Sequence, residues 1–189
     1  MLALASAGDM LRLIASDPWR TRVLEMVCGL DLPDCWVGAG FVRALIWDHL
    51  HGHAAPTPLD DVDVIYFDAE QTGRLTERRH QGRLAALWPS VPWSVKNQAR
   101  VHQRNGDAPY SNTSDALCHW HETPTAVAVR MDDAGKLELL APLGVDDLLA
   151  MRIAPTPHAR KRRLDAYRQR VLAKPWARQW PLLDIIIPD

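Results

Sequence analysis

Apolar positions recur along this chain at two periods, and the alternation of those periods predicts helices interleaved with strands. Residues 2–15 place Leu2, Met10, Leu11, Leu13 and Ile14 at helix-compatible spacings. Asp17 and Pro18 then give an N-cap and a first-turn proline, so a second helix runs to about Cys28, with Val23, Leu24 and Val27 inward and Gly29 as its stop. Short apolar or alternating runs at residues 35–37, 61–67 and 93–102 read as strands, and 125–131 with 136–140 read as a hairpin around Asp132-Asp133-Ala134-Gly135. Between them, 41–50 and 71–87 have helical periodicity, 103–113 is a polar loop, and 114–120 is one or two helical turns capped by Ser114. A short helix within 142–151 has Asp146 and Asp147 at its start, and 158–174 reads as a basic helix whose tail docks through Trp176, Trp180 and 185–187. The pattern is that of a mixed α/β protein with a small sheet and helices covering one face.

The chemistry concentrates between Trp36 and Phe67. In an extended strand the side-chain period is two, so Asp61 and Asp63 project to one face with Ile65, while Val62 and Val64 face the other way. Two carboxylates so close repel unless a positive partner lies between them. Magnesium suits that position, because it takes oxygen ligands and combines one or two carboxylates with substrate phosphates. Upstream, Gly38-Ala39-Gly40 precedes the 41–50 helix, an arrangement that lets an anion approach the backbone N–H groups at a helix start. Arg43 in the first turn is explained either by a bound phosphate or by pairing with Asp61 or Asp63. Lys96 and Arg100 fall on one side of the 93–102 strand and Val95 and Asn97 on the other, so that strand can carry cations towards phosphates or aspartates.

Five segments carry a family resemblance: residues 37–43 (VGAGFVR), 47–52 (WDHLHG), 61–68 (DVDVIYFD), 93–102 (WSVKNQARVH) and 141–147 (APLGVDD). Together they resemble a bacterial family of small nucleotidyltransferase-like proteins within the DNA polymerase β-like nucleotidyltransferase superfamily, whose signature is Gly-Gly/Ser, a gap, and Asp-x-Asp/Glu. The resemblance implies an α/β (α+β) nucleotidyltransferase-like fold, a small mixed sheet with helices on one face and helical terminal segments. It implies transfer of a nucleoside monophosphate from a nucleoside triphosphate to an acceptor, with Mg2+ held by Asp61 and Asp63. Gly38, Ala39, Gly40, Arg43, Lys96 and Arg100 are then nucleotide-binding positions. Two departures stand out: residues 49–58 lengthen the gap, and where a later strand normally brings a third carboxylate, this chain has Lys96 and Asn97, which makes Asn97 the possible third-ligand position.

Charge and composition narrow the partners. The 189 residues suit one domain, 1–189, with a basic helical extension at about 156–189, and the formal net charge of −1 argues against a protein held to nucleic acid mainly by its overall field, leaving a local basic patch as the alternative. The absence of a long apolar run or of a secretory pattern points to a cytoplasmic protein without a membrane partner. Cys28, Cys35 and Cys118 lack metal-ligand spacing and read as small buried hydrophobes, while His49, His51 and His53 sit in a loop-like stretch better suited to anions or solvent than to a metal. The acceptor, whether RNA, protein or small molecule, is open. The alternative to an enzyme is a nucleotide- or RNA-binding module, or a toxin–antitoxin-type interaction module, that keeps the fold without transfer chemistry.

Overall fold

A computed structural model describes residues 4–188. The first helix, α1 (Ala7–Ala15), starts where Ser6 accepts a hydrogen bond from the Asp9 amide; the expected positions 2 and 3 lie outside the described residues. In α2 (Pro18–Cys28), Asp17 caps the Arg20 amide, and Val23, Leu24 and Val27 are buried as their spacing predicts. Arg20 is itself buried: it pairs with Asp17, donates from Nε to the Phe41 carbonyl at 2.9 Å, and so ties α2 to the first turn of the next helix.

The remaining elements are β1 (Trp36–Gly38), α3 (Gly40–His51), β2 (Val62–Tyr66), α4 (Arg74–Leu87), β3 (Trp93–Asn97), α5 (Gln98–Asn105) and α6 (Thr113–Cys118). A 3₁₀ turn (Thr123–Thr125) leads to β4 (Ala128–Met131), β5 (Leu137–Leu140), α7 (Asp146–Leu149), β6 (Arg152–Ile153), α8 (Pro157–Arg162), α9 (Leu164–Ala173), α10 (Trp176–Gln179) and β7 (Asp184–Ile185). The five-stranded sheet has the order β3-β2-β1-β4-β5, in which β2 and β3 are parallel and the other pairs antiparallel. The parallel pair is joined through α4, the crossover such a pair requires.

The sheet's two faces have different roles. Val37, Val62, Val64, Tyr66, Val95 and Val129 join the large core under the helices. On the opposite face Trp36, Ile65 and Ala128 form a smaller cluster with Leu117 and Trp120, leaving the rest of that face open around Asp63. The hairpin forms as expected, with Gly135 at φ 78°.

Three expected elements are redrawn. The 93–102 strand stops at Asn97, because the Asn97 side chain accepts from the Ala99 amide and caps α5. Asn112, not Ser114, caps α6 by accepting from the Asp115 amide. The 158–174 helix is broken at Arg163, whose backbone leaves the helical region (φ −144°, ψ 35°) as its side chain reaches Asp107. The tail docks as expected: Trp176 and Trp180 are 3% and 2% exposed, and the Trp180 indole N–H donates to Asp48 Oδ1 at 2.8 Å. Asp48 also accepts from the Thr57 amide and hydroxyl, so one buried carboxylate fastens both the tail and the long 49–58 connection. The alternating histidines serve this packing: His53 contacts Asp48, and His51 Nε2 accepts from the Leu182 amide.

Candidate functional site

The glycine turn lies directly against the acidic strand. Gly38 on β1 is the cross-strand partner of Asp63 on β2 and of Ala128 on β4. Ala39 follows in a left-handed conformation (φ 53°, ψ −120°), donates its amide to the Val127 carbonyl at 3.0 Å, and accepts from the Val42 and Arg43 amides as α3 begins. The strained backbone thus falls on the alanine between the glycines. No side chain caps α3, so its first-turn N–H groups, at Gly40 and Phe41, are what an anion would meet there.

Asp61 precedes β2 and Asp63 lies within it, two residues apart on the open face. Burial, then the like charge of Asp61, push the Asp63 carboxyl up to about 6, against lesser opposing effects from the Ser94 hydroxyl, Arg170 and Lys96. Ser94 is the residue paired with Asp63 across the parallel strands, and Lys96, paired with Ile65, shares their face.

Asn97 pairs instead with Tyr66, on the core side. It is fully buried, accepts from the Asp68 and Ala99 amides, and donates to the Asp68 and Gln71 carbonyls. The third-ligand position expected at Asn97 is therefore not formed there; alternation puts Ser94 beside Asp63. Arg100 likewise leaves the strand for α5, where its guanidinium grips buried Glu77 at 2.7 and 2.8 Å. Its charge is taken up within the protein, although Arg100 still lines the groove described below.

Arg43 pairs with neither aspartate. Its guanidinium carbon lies 4.9 Å from the Trp176 ring centre, 5.4 Å from Trp47 and 5.8 Å from Trp180, and its Nε is buried without a hydrogen bond. Burial lowers its pKa to about 10 despite the nearby Glu122, Asp63 and Asp61. Two cavities meet at the aspartates. A pocket of about 60 Å³ joins Asp61 and Asp63 to Gly40, Arg43, Arg170 and Lys174, and a groove of about 630 Å³ joins them to Ser94, Lys96, Arg74, Arg78, Arg104 and Trp120.

The tail's part in this site was missed in the sequence. Arg170 donates to buried Glu122 at 2.7 Å and Lys174 to Asp60 at 3.1 Å; their spacing of four residues, one helical turn, was the available signal. Ser94 was legible from strand alternation with Lys96. Trp120, whose ring would contact a Cβ at Gly38 at 3.4 Å, gave no local sign. The cysteines are free thiols, and burial raises the pKa of Cys35 to about 12.

A glycine turn at a helix start, set across one strand pair from two aspartates in a mixed sheet, defines a nucleotidyltransferase-type fold. The chain belongs to the family described as Nucleotidyltransferase, whose profile matches residues 25–185. Among solved structures, it is similar to a protein whose NMR structure reveals a CCA-adding enzyme head domain, with 28% identity, a TM-score of 0.88 and 99% coverage of both chains. It also resembles the Thermotoga maritima CCA-adding enzyme complexed with tRNA (14% identity, TM-score 0.54) and a CCA-adding enzyme in complex with CTP (12%, 0.54). It covers 87% and 85% of itself in these two matches but only 40% of each of those chains, which are alike in fold alone. No curated protein sequence matches the chain. Among the described residues no helix is long and apolar enough to cross a membrane.

Proposed function

We propose that this protein transfers a nucleoside monophosphate from a nucleoside triphosphate to an acceptor, with Asp61 and Asp63 holding Mg2+. The observation that carries the reading is that a small pocket, in which Arg43, Arg170 and Lys174 face Asp60, Asp61 and Asp63, meets a long groove at the last two aspartates. The donor set fits a hard divalent cation: it is all oxygen, and burial together with the like charge of Asp61 raises the pKa of Asp63, a cost that a cation between the two carboxylates would relieve. Two carboxylates are enough for magnesium when substrate phosphates and water complete its shell, so Ser94 in place of a third is compatible with binding. When bound, the ion would neutralise charge developing on the phosphate oxygens.

The chain's own residues do the rest. The α3 amides after Ala39 and the cations Arg43, Arg170 and Lys174 favour the triphosphate, Arg43 acting as a fixed charge because three tryptophans hold it. The groove offers the acceptor or base the Trp120 ring and the cations Lys96, Arg74, Arg78 and Arg104. Relatives solved with tRNA and with CTP support a nucleotide donor and make RNA the first acceptor to try.

Incubation with each labelled triphosphate, Mg2+ and fractionated RNA, protein and small-molecule pools tests the reading. It expects a labelled product whose formation Asp61→Asn and Asp63→Asn each abolish. Triphosphate binding without product in any pool favours the alternative of a nucleotide-binding module, which Ser94 beside Asp63 also suits.

A further inference from the structure

A second cluster of metal-ligating groups lies outside the aspartate site. Asp107 in the loop after α5, His119 at the end of α6 and His158 in α8 each bring one ligand atom to within 4.8 Å of the others. Among the described residues this is the one group of three or more His, Cys, Asp or Glu side chains that meets this criterion.

The local hydrogen bonds prepare each group. His119 Nδ1 lies 2.9 Å from the Asp115 carbonyl, which can only accept; the ring must donate there, and in the neutral form its Nε2 then carries the lone pair. His158 Nε2 is buried and lies 3.1 Å from Asp107 Oδ1. Tyr110 and Arg163 both donate to the other Asp107 oxygen, Oδ2, leaving Oδ1 turned to the histidines. Asn105 in turn donates to the Tyr110 hydroxyl at 3.1 Å. A carboxylate held on one oxygen by outer donors, with an imidazole fixed by a backbone carbonyl, is how hydrogen bonds behind metal ligands orient them.

We infer that Asp107, His119 and His158 form a binding site for a borderline divalent transition metal of the Zn2+ or Co2+ class. Two imidazoles and one carboxylate suit such ions better than Mg2+, which takes oxygen donors. Bonds of about 2.0–2.2 Å place tetrahedral ligand atoms about 3.3–3.6 Å apart, so spacings of up to 4.8 Å must close by up to about 1.5 Å. His158 and His119 keep 20% and 24% of their side-chain surface exposed, so an ion has a path in. Three protein ligands leave a fourth position to water, and the ion would join the α5–α6 loop, the end of α6 and α8. Because His119 adjoins Trp120, and Thr156 holds the Trp120 carbonyl at 2.6 Å, the ion would also fix the segment that walls the groove beside Asp63.

Chelator-treated full-length protein titrated with Co2+, read by its visible absorption and by displacement with Zn2+, tests the site. The expected result is one Co2+ per chain, a higher melting temperature with metal, and Zn2+-dependent shifts of the His119 and His158 ring signals by NMR in the wild-type protein. His119→Asn and His158→Asn should weaken binding by on the order of 100-fold and Tyr110→Phe by about 10-fold. The Asp61→Asn/Asp63→Asn double variant should keep the metal-dependent shifts of the His119 and His158 ring signals at the wild-type affinity. The ring signals keep the test independent of whether the histidine variants fold. No saturable uptake by wild type, uptake without change in those signals, or uptake lost only in the Asp61/Asp63 variant overturns the inference.

Discussion

Gly38 and Asp63 face each other across β1 and β2, and the absence of a side chain on the first makes room for what borders the second. A Cβ at Gly38 would lie 3.3 Å from the Val127 carbonyl and 3.4 Å from the Trp120 ring. Tight packing on the aspartate face thus favours glycine at Gly38 independently of any phosphate, whereas a Cβ at Gly40 would meet only ordinary contacts at 3.6 and 3.7 Å. Gly38→Ala should therefore cost about 1–2 kcal/mol, as overpacking does, with Gly38→Val worse. Urea unfolding measures the cost, and tryptophan fluorescence should report a displaced Trp120 in the folded variant.

Ala39 makes the opposite prediction. An alanine at φ 53° and ψ −120° carries strain of about 1–3 kcal/mol that glycine does not. Offset by the added freedom of glycine in the unfolded chain, Ala39→Gly should raise stability by about 1 kcal/mol, read as a higher urea midpoint at unchanged slope.

Asp63 should make stability depend on pH. Its folded pKa, about 6, exceeds the ordinary 3.8, so between these values the folded state binds the extra proton. Stability without metal therefore falls as pH rises through that window, and the penalty persists above it. Asp63→Asn should remove this slope and gain on the order of 2 kcal/mol at pH 7. Unfolding followed from pH 4 to 8 with a chelator present, then with Mg2+, should show the slope in wild type and its reduction by the ion.

Asn97→Asp should destabilise without tightening metal binding. The Asn97 amide donates to two carbonyls that an aspartate cannot serve, and the new charge would lie beside buried Glu77. Leaving those acceptors unpaired costs about 1–3 kcal/mol. Thermal unfolding checks the loss, and an Mg2+ titration should match wild type.

The difference between what was legible and what was not follows the range of the interactions. Period-two alternation at 61–67 put Asp61 and Asp63 on one face and Val62 and Val64 in the core, as found. The helix cap at Asp17 and the hairpin-turn Gly135 likewise act within a few positions. The end of β3 was misread because Lys96 and Arg100 were placed on one side of a continuous 93–102 strand, while the Asn97 cap that stops the strand is a side-chain choice alternation does not encode. Of the two partners offered for Arg43, an aspartate is not found, and the Trp176 and Trp180 rings that hold it lie more than 130 positions away in sequence and reach it only through the docked tail. The contribution of Arg170 and Lys174 to the pocket depends on the same docking.

The measurement that bears most directly on the account is calorimetric titration of wild type, Asp61→Asn and Asp63→Asn with a panel of nonhydrolysable nucleoside triphosphates, each with and without Mg2+. The account predicts saturable triphosphate binding to wild type that strengthens at least tenfold with Mg2+, and loss of that enhancement in both variants while their folded spectra are unchanged. Equal affinity in all three proteins, or wild-type binding indifferent to Mg2+, would contradict it.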